Sequence, residues 1–158
     1  MRLSPFAPSL AVLTGLAAAP TMAATVTVTI PRQSVAEYQK PYVAVYLEPT
    51  AGGPAKTVAL WYAMNKPDGD HGTKWLNEVR AWWRKGGRSL SLPADGISGA
   101  TRAPGTYSIP LPADALSGAY KLTIEAAREH GGREFVTIAA KAGASGSGKT
   151  ELGAVAVR

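Results

Sequence analysis

The sequence predicts a mainly β domain, an antiparallel sandwich of about seven strands with one inserted α-helix at about residues 73–85. Three observations carry this. Apolar and polar residues alternate with period two in several short runs, as strands with one buried face require. Gly- and Pro-rich links separate those runs, and such links turn the chain sharply. Only between 73 and 85 do the apolar residues recur at spacings of three and four, the period of a helix.

In chain order, "TVTVTIPR" alternates Thr with Val and Ile, a half-buried strand. "YVAVYLEP" (42–49) alternates again and stops at Pro49. "TAGGPAK" is a turn, its glycines free to take positive φ and its proline fixing the bend. "TVALWYAM" (57–64) is apolar on both faces, so the third strand is a central one. In "GTKWLNEVRAWWRKGG" the residues Trp75, Leu76, Val79, Trp82 and Trp83 form a helical stripe. Asp70 or Thr73 is placed to cap its start and Gly86-Gly87 to end it. "GTYSIPLP" (105–112) is an edge strand, because Pro110 and Pro112 cannot donate to a ladder. "GAYKLTIEAARE" (118–129) and "REFVTIAAK" (133–141) form a hairpin around "HGG". "ELGAVAVR" (151–158) is the last strand. This pattern suits an immunoglobulin-like arrangement.

The N-terminus predicts export. Arg2, the short apolar run "LAVLTGLAAA", Pro20 and the small residues of Thr21-Met22-Ala23 make a secretory signal over 1–23, cleaved after Ala23. What remains, 158 − 23 = 135 residues, is long enough for one sandwich domain over 24–158. The apolar run is too short to span a bilayer, so the expected setting is the periplasm. With 0 cysteines, disulfides, thiolate metal sites, c-type haem attachment and a cysteine nucleophile are excluded. Losing Arg2 takes the formal charge from +6 to +5. An exported basic protein meets anionic lipid or acidic partners rather than nucleic acid.

Three candidate chemistries are weak. "GASGSGKT" (143–150) has the spacing of a phosphate-binding loop. Such a loop needs a following helix to aim its amides at phosphate, whereas the eight residues after it alternate like a strand, so ATP is not expected. His71 with Asp68 and Asp70 in "PDGDHG" lacks the ligand spacing of a calcium loop, and no metal is assigned. Ser98 has no Gly-x-Ser-x-Gly elbow around it to make it a nucleophile.

The remaining stretch is "DGISGATR" (95–102). Gly96 and Gly99 let it extend, and Gly99 and Ala100 keep the approach to Thr101 free of bulk. Asp95, Ser98, Gly99, Ala100 and Thr101 resemble the flavinylation motif of extracytoplasmic electron carriers, in which an aspartate is followed after two free positions by Ser or Thr, then Gly, Ala and Thr. The resemblance implies that a FAD:protein FMN transferase joins FMN to Thr101 through a phosphoester, with the preceding residues as its recognition loop. Arg102 and Ala103 stand where that group often has a second hydroxyl residue. Arg102 is placed to pair with the phosphodiester. Trp82 and Trp83, just upstream, are candidates for an aromatic wall beside the flavin.

The signal sequence, "LWYAMNK", "KWLNEVRAWWR", "DGISGATRAPG" and the hairpin around "HGG" also resemble the periplasmic family catalogued as domain of unknown function 2271. That similarity implies a place beside flavin transferases and PepSY-type membrane redox proteins. The expected function is a periplasmic carrier with FMN on Thr101, shuttling electrons to or from a membrane oxidoreductase rather than converting a substrate itself. The alternative is a non-catalytic immunoglobulin-like binding or assembly module.

Overall fold

Thr alternates with Val and Ile in β1 (Thr25–Ile30), and in the computed structural model, which describes residues 23–64 and 72–158, burial alternates with them. The signal sequence falls almost wholly on residues outside that range, as do Asp68, Asp70 and His71. The protein is mainly β. β2 (Tyr42–Pro49), β3 (Lys56–Tyr62), β6 (Tyr120–Ala127) and β7 (Arg133–Ala139) follow the expected runs, with β5 (Gly105–Pro110) and β9 (Ala154–Val157). Two further strands of three residues, β4 (Ser98–Ala100) and β8 (Ser145–Ser147), bring the described strands to nine where about seven were expected. Both are built from Ser, Gly and Ala, so neither shows the alternation by which a strand is read.

The strands form two open sheets. One has the order β5-β1-β9-β8, the other β4-β3-β2-β6-β7. β5 is an edge strand, as its prolines require. β4 departs from the expected all-antiparallel pattern, for it pairs parallel to β3, with Leu60 opposite Ser98, Trp61 opposite Gly99 and Tyr62 opposite Ala100.

One apolar cluster draws on both sheets in a sandwich-like arrangement. Val26, Val28, Val155 and Val157 from the first sheet join Val43, Val45, Leu122 and Ile124 from the second. A second cluster covers the outer face of β2 and β3, where Ala44, Tyr46, Leu60 and Tyr62 meet Leu76, Val79 and Trp82. Two covered faces explain why β3 is apolar on both.

The covering segment differs from the continuous helix expected over 73–85. It is a 3-10 turn (Thr73–Glu78), then α1 (Arg80–Arg84), then a second 3-10 turn (Gly87–Ser89). The break is at Val79, whose ψ of 69° is not helical. A three-residue spacing keeps side chains on one line in a 3-10 turn too, so Leu76, Val79 and Trp82 still face inward. No side chain caps either end of this segment locally. Instead the buried Glu125 carboxylate of β6 accepts the N–H groups of Ala81 and Trp82, at 3.0 and 2.8 Å.

Candidate functional site

The chain from Ala94 to Ala103 is built in two steps. At the first, Ala94 and Ser98 hold each other: the Ala94 N–H donates to Ser98 Oγ at 2.9 Å, and the Ser98 N–H donates back to the Ala94 carbonyl at 2.9 Å. The tight turn between them needs the left-handed backbone of Gly96 (φ 70°) and leaves Asp95 exposed at its tip. At the second step the chain straightens into β4. The segment expected to be a loop is therefore a short edge strand anchored on β3.

Thr101 begins the crossover from β4 in one sheet to β5 in the other. Its N–H donates to the Tyr62 carbonyl at 3.2 Å, so its backbone is fixed, while the residue is half-buried. No hydrogen bond reaches its hydroxyl among the described residues. At the far side of the crossover the Tyr107 hydroxyl donates to the Ala103 carbonyl at 2.7 Å.

The rings at this crossover are those of Trp61, a core residue only 5% exposed, and the half-buried Tyr107. Trp61 of β3 and Tyr107 of β5 meet edge to face across the two sheets, centroids 5.5 Å apart and planes at 76°. The Arg102 guanidinium lies 5.1 Å from the Trp61 ring centre and 5.3 Å from that of Tyr107. Gly99 abuts the same indole: a Cβ there would come within 3.2 Å of Trp61 Cδ1. These residues line a groove of about 310 Å³ with Ile97 and Ile109.

Of the residues selected from the sequence, Asp95, Ser98, Gly99, Ala100, Thr101 and Arg102 thus sit together on one sheet edge. Trp82 and Trp83 do not join them in that groove. Trp82 is wholly buried on the outer face of the second sheet, its indole N–H donating to Thr57 Oγ1 at 2.9 Å. Trp83 is half-buried beside it, centroids 6.2 Å apart. Trp61 and Tyr107 went unselected because Trp61 reads as core and Tyr107 as an edge-strand residue. The β3–β4 register sets Trp61 beside Gly99, and Tyr107 reaches it from β5 in the other sheet.

Residues 143–150, whose letters match a phosphate-binding loop, run through β8 and are followed by β9 rather than a helix. Their amides have a carboxylate of their own. The N–H groups of Lys149, Thr150 and Leu152 donate to Glu134 of β7 at 2.7, 3.0 and 2.9 Å. Burial alone would raise the Glu134 pKa, but these amides outweigh it and hold the carboxyl below its ordinary value.

A larger cleft, about 490 Å³, lies at the β6–β7 hairpin, lined by residues including Tyr42, Trp75, Arg80, His130 and Arg133. Trp75 is 44% exposed there. Beneath it Arg128 makes a buried pair with Glu151, Nε to Oε2 at 3.0 Å and Nη2 to Oε1 at 3.1 Å.

Among the described residues no helix is long and apolar enough to cross a membrane. The profile of the family described as "Predicted periplasmic protein (DUF2271)" matches residues 23–154. No curated protein and no solved structure matches the chain.

Proposed function

The chain belongs to the DUF2271 family of periplasmic proteins, and from that premise we propose that it is an electron carrier holding FMN covalently on Thr101. The observation that carries the reading is the state of that residue: backbone pinned to Tyr62, hydroxyl unbonded among the described residues, at a sheet edge beside a ring-lined groove. A phosphoryl acceptor must be reachable and unencumbered. Ser98, the other hydroxyl of the motif, is committed to the Ala94 amide.

In the proposed attachment the Thr101 Oγ attacks the FMN phosphorus of FAD. The pyrophosphate bond breaks, AMP leaves, and the threonine proton passes to a base of the transferase. Asp95 on the exposed turn is a recognition charge, and Gly99-Ala100 give the enzyme a strand without bulk. The flavin supplies reversible electron transfer; the chain supplies the tether, the wall and the local charge. Exchange partners are membrane redox proteins of the PepSY type. We take the scaffold as an immunoglobulin-like sandwich, supported by the two sheets around one core.

The test is co-expression with a FAD:protein FMN transferase and measurement of intact mass. Wild type gains one FMN minus water and Thr101→Ala gains nothing. Unmodified wild type beside an active transferase contradicts the reading. The second reading, a binding or assembly module, draws on the cleft at the β6–β7 hairpin, where Arg80 and an exposed Trp75 suit a protein partner.

A further inference from the structure

The geometry points to the groove between β5 and the β3–β4 edge as the seat of the isoalloxazine ring, with Trp61 and Tyr107 as its wall and Arg102 as its cation; this rests on Thr101 as the attachment residue. Four observations converge on it. First, Gly99 and Arg102, two residues before and one after Thr101, both line the groove. A group tethered to Thr101 therefore starts within a residue or two of its rim, consecutive Cα atoms being about 3.8 Å apart.

Second, the groove combines the two rings with Ile97 and Ile109 and with the polar Ser98 and Ser108, and Trp61, 5% exposed, offers it a small part of its surface. An electron-rich indole suits an electron-poor heteroaromatic ring, and offset or edge contacts are the preferred geometries. Third, Gly99 is needed for the space. With Trp61 Cδ1 3.2 Å and Nε1 3.6 Å from where a Cβ would sit, any larger residue pushes into the indole at the floor.

Fourth, Arg102 has no carboxylate partner among the described residues and rests on both ring faces instead. A guanidinium held by rings alone is available to an anion. A phosphodiester on the neighbouring Thr101 is that anion, and the ring faces Arg102 now covers become free for the flavin. Trp82 cannot play this part, lying in the cluster on the other face of the second sheet and outside the groove.

The experiment compares wild type, Trp61→Phe and Arg102→Gln after transferase co-expression, with loading read by intact mass and folding by far-UV circular dichroism. Visible-band dichroism and quenched flavin emission are expected in wild type, both diminished in Trp61→Phe. Free FMN titrated into Thr101→Ala protein binds in the same groove. Adding Trp61→Phe or Arg102→Gln to that background weakens it about threefold to tenfold, the scale of one ring or cation–ring contact. If wild type and both variants load fully and share the same emission and dichroism, the groove is overturned and the attachment stands. If nothing loads but free FMN still binds in a Trp61-dependent way, the attachment fails and the groove stands. No binding of FMN by any form overturns the groove as well.

Discussion

At the scale of single residues, two hydroxyls three positions apart are held differently. Ser98 closes a turn, and the half-buried Thr101 has no hydrogen bond to its hydroxyl among the described residues. Ser98→Ala removes the acceptor of the Ala94 N–H, and a urea titration should show a loss of about 1 kcal/mol. Flavin loading should nevertheless persist. Loss of all loading with the fold intact would make Ser98 the acceptor instead. Arg102 gives a second residue-scale prediction. Reduction adds negative charge to the flavin, and a nearby cation favours the reduced form. Arg102→Gln should therefore lower the midpoint potential of the loaded protein in a spectroelectrochemical titration, and an unchanged potential would place the guanidinium away from the ring.

At the scale of elements, the covering segment is held more by the sheet beneath it than by its own caps. Glu125 bonds the amides of Ala81 and Trp82, and Arg133 Nη1 donates to the same carboxylate at 2.9 Å. Glu125→Ala leaves buried donors unmatched and should cost about 3 kcal/mol or more in chemical denaturation. Gly87 is a second hold on the same segment. A Cβ there would lie 2.5 Å from the Trp82 ring, so Gly87→Ala must displace a fully buried indole, at about 1–3 kcal/mol. These elements also show how far the sequence could be read. Strands with branched apolar residues on one face, such as β1, β2 and β6, were legible because burial follows a local period. β4 and β8 were not, since Ser-Gly-Ala and Ser-Gly-Ser carry no periodic signal and exist only through their partners. The helix failed differently. The spacing of Leu76, Val79 and Trp82 was right, but 3-10 turns satisfy it as well, and the cap came from Glu125 some 44 positions away. The motif residues were legible as a linear pattern, whereas Trp61 reaches them only through the β3–β4 register and Tyr107 only through the packing of the two sheets.

At the scale of the molecule, two open sheets are joined at the edge where β7 meets β8, opposite the edge where β5 and β4 flank the groove. Both connections found at the segment before β9 use carboxylates. Glu151 pairs with Arg128 and accepts the Gly132 N–H at 3.0 Å, while Glu134 gathers the amides of Lys149, Thr150 and Leu152. The Glu134 pKa is held below its ordinary 4.5 despite its burial, so the sign of the linkage follows. Its contribution is complete above that ordinary value and is lost as the pH falls through the depressed folded value. Thermal unfolding of wild type should weaken across that acid range more steeply than unfolding of Glu134→Gln, which lacks the titrating group. Equal pH slopes would remove Glu134 from the connection. In this same segment, whose letters match a phosphate-binding loop, the amides of Lys149, Thr150 and Leu152 already hold an anion supplied by the fold, the Glu134 carboxylate.

The central claim, that Thr101 carries the cofactor, is tested most directly by peptide mapping of the transferase-treated protein. Cleavage after Arg88 and Arg102 releases residues 89–102, which contain Ser89, Ser91, Ser98 and Thr101. Fragmentation of that peptide is predicted to place one phosphoester-linked FMN on Thr101 and on none of the three serines. An unmodified peptide beside an active transferase, or the flavin on another residue, would contradict the account.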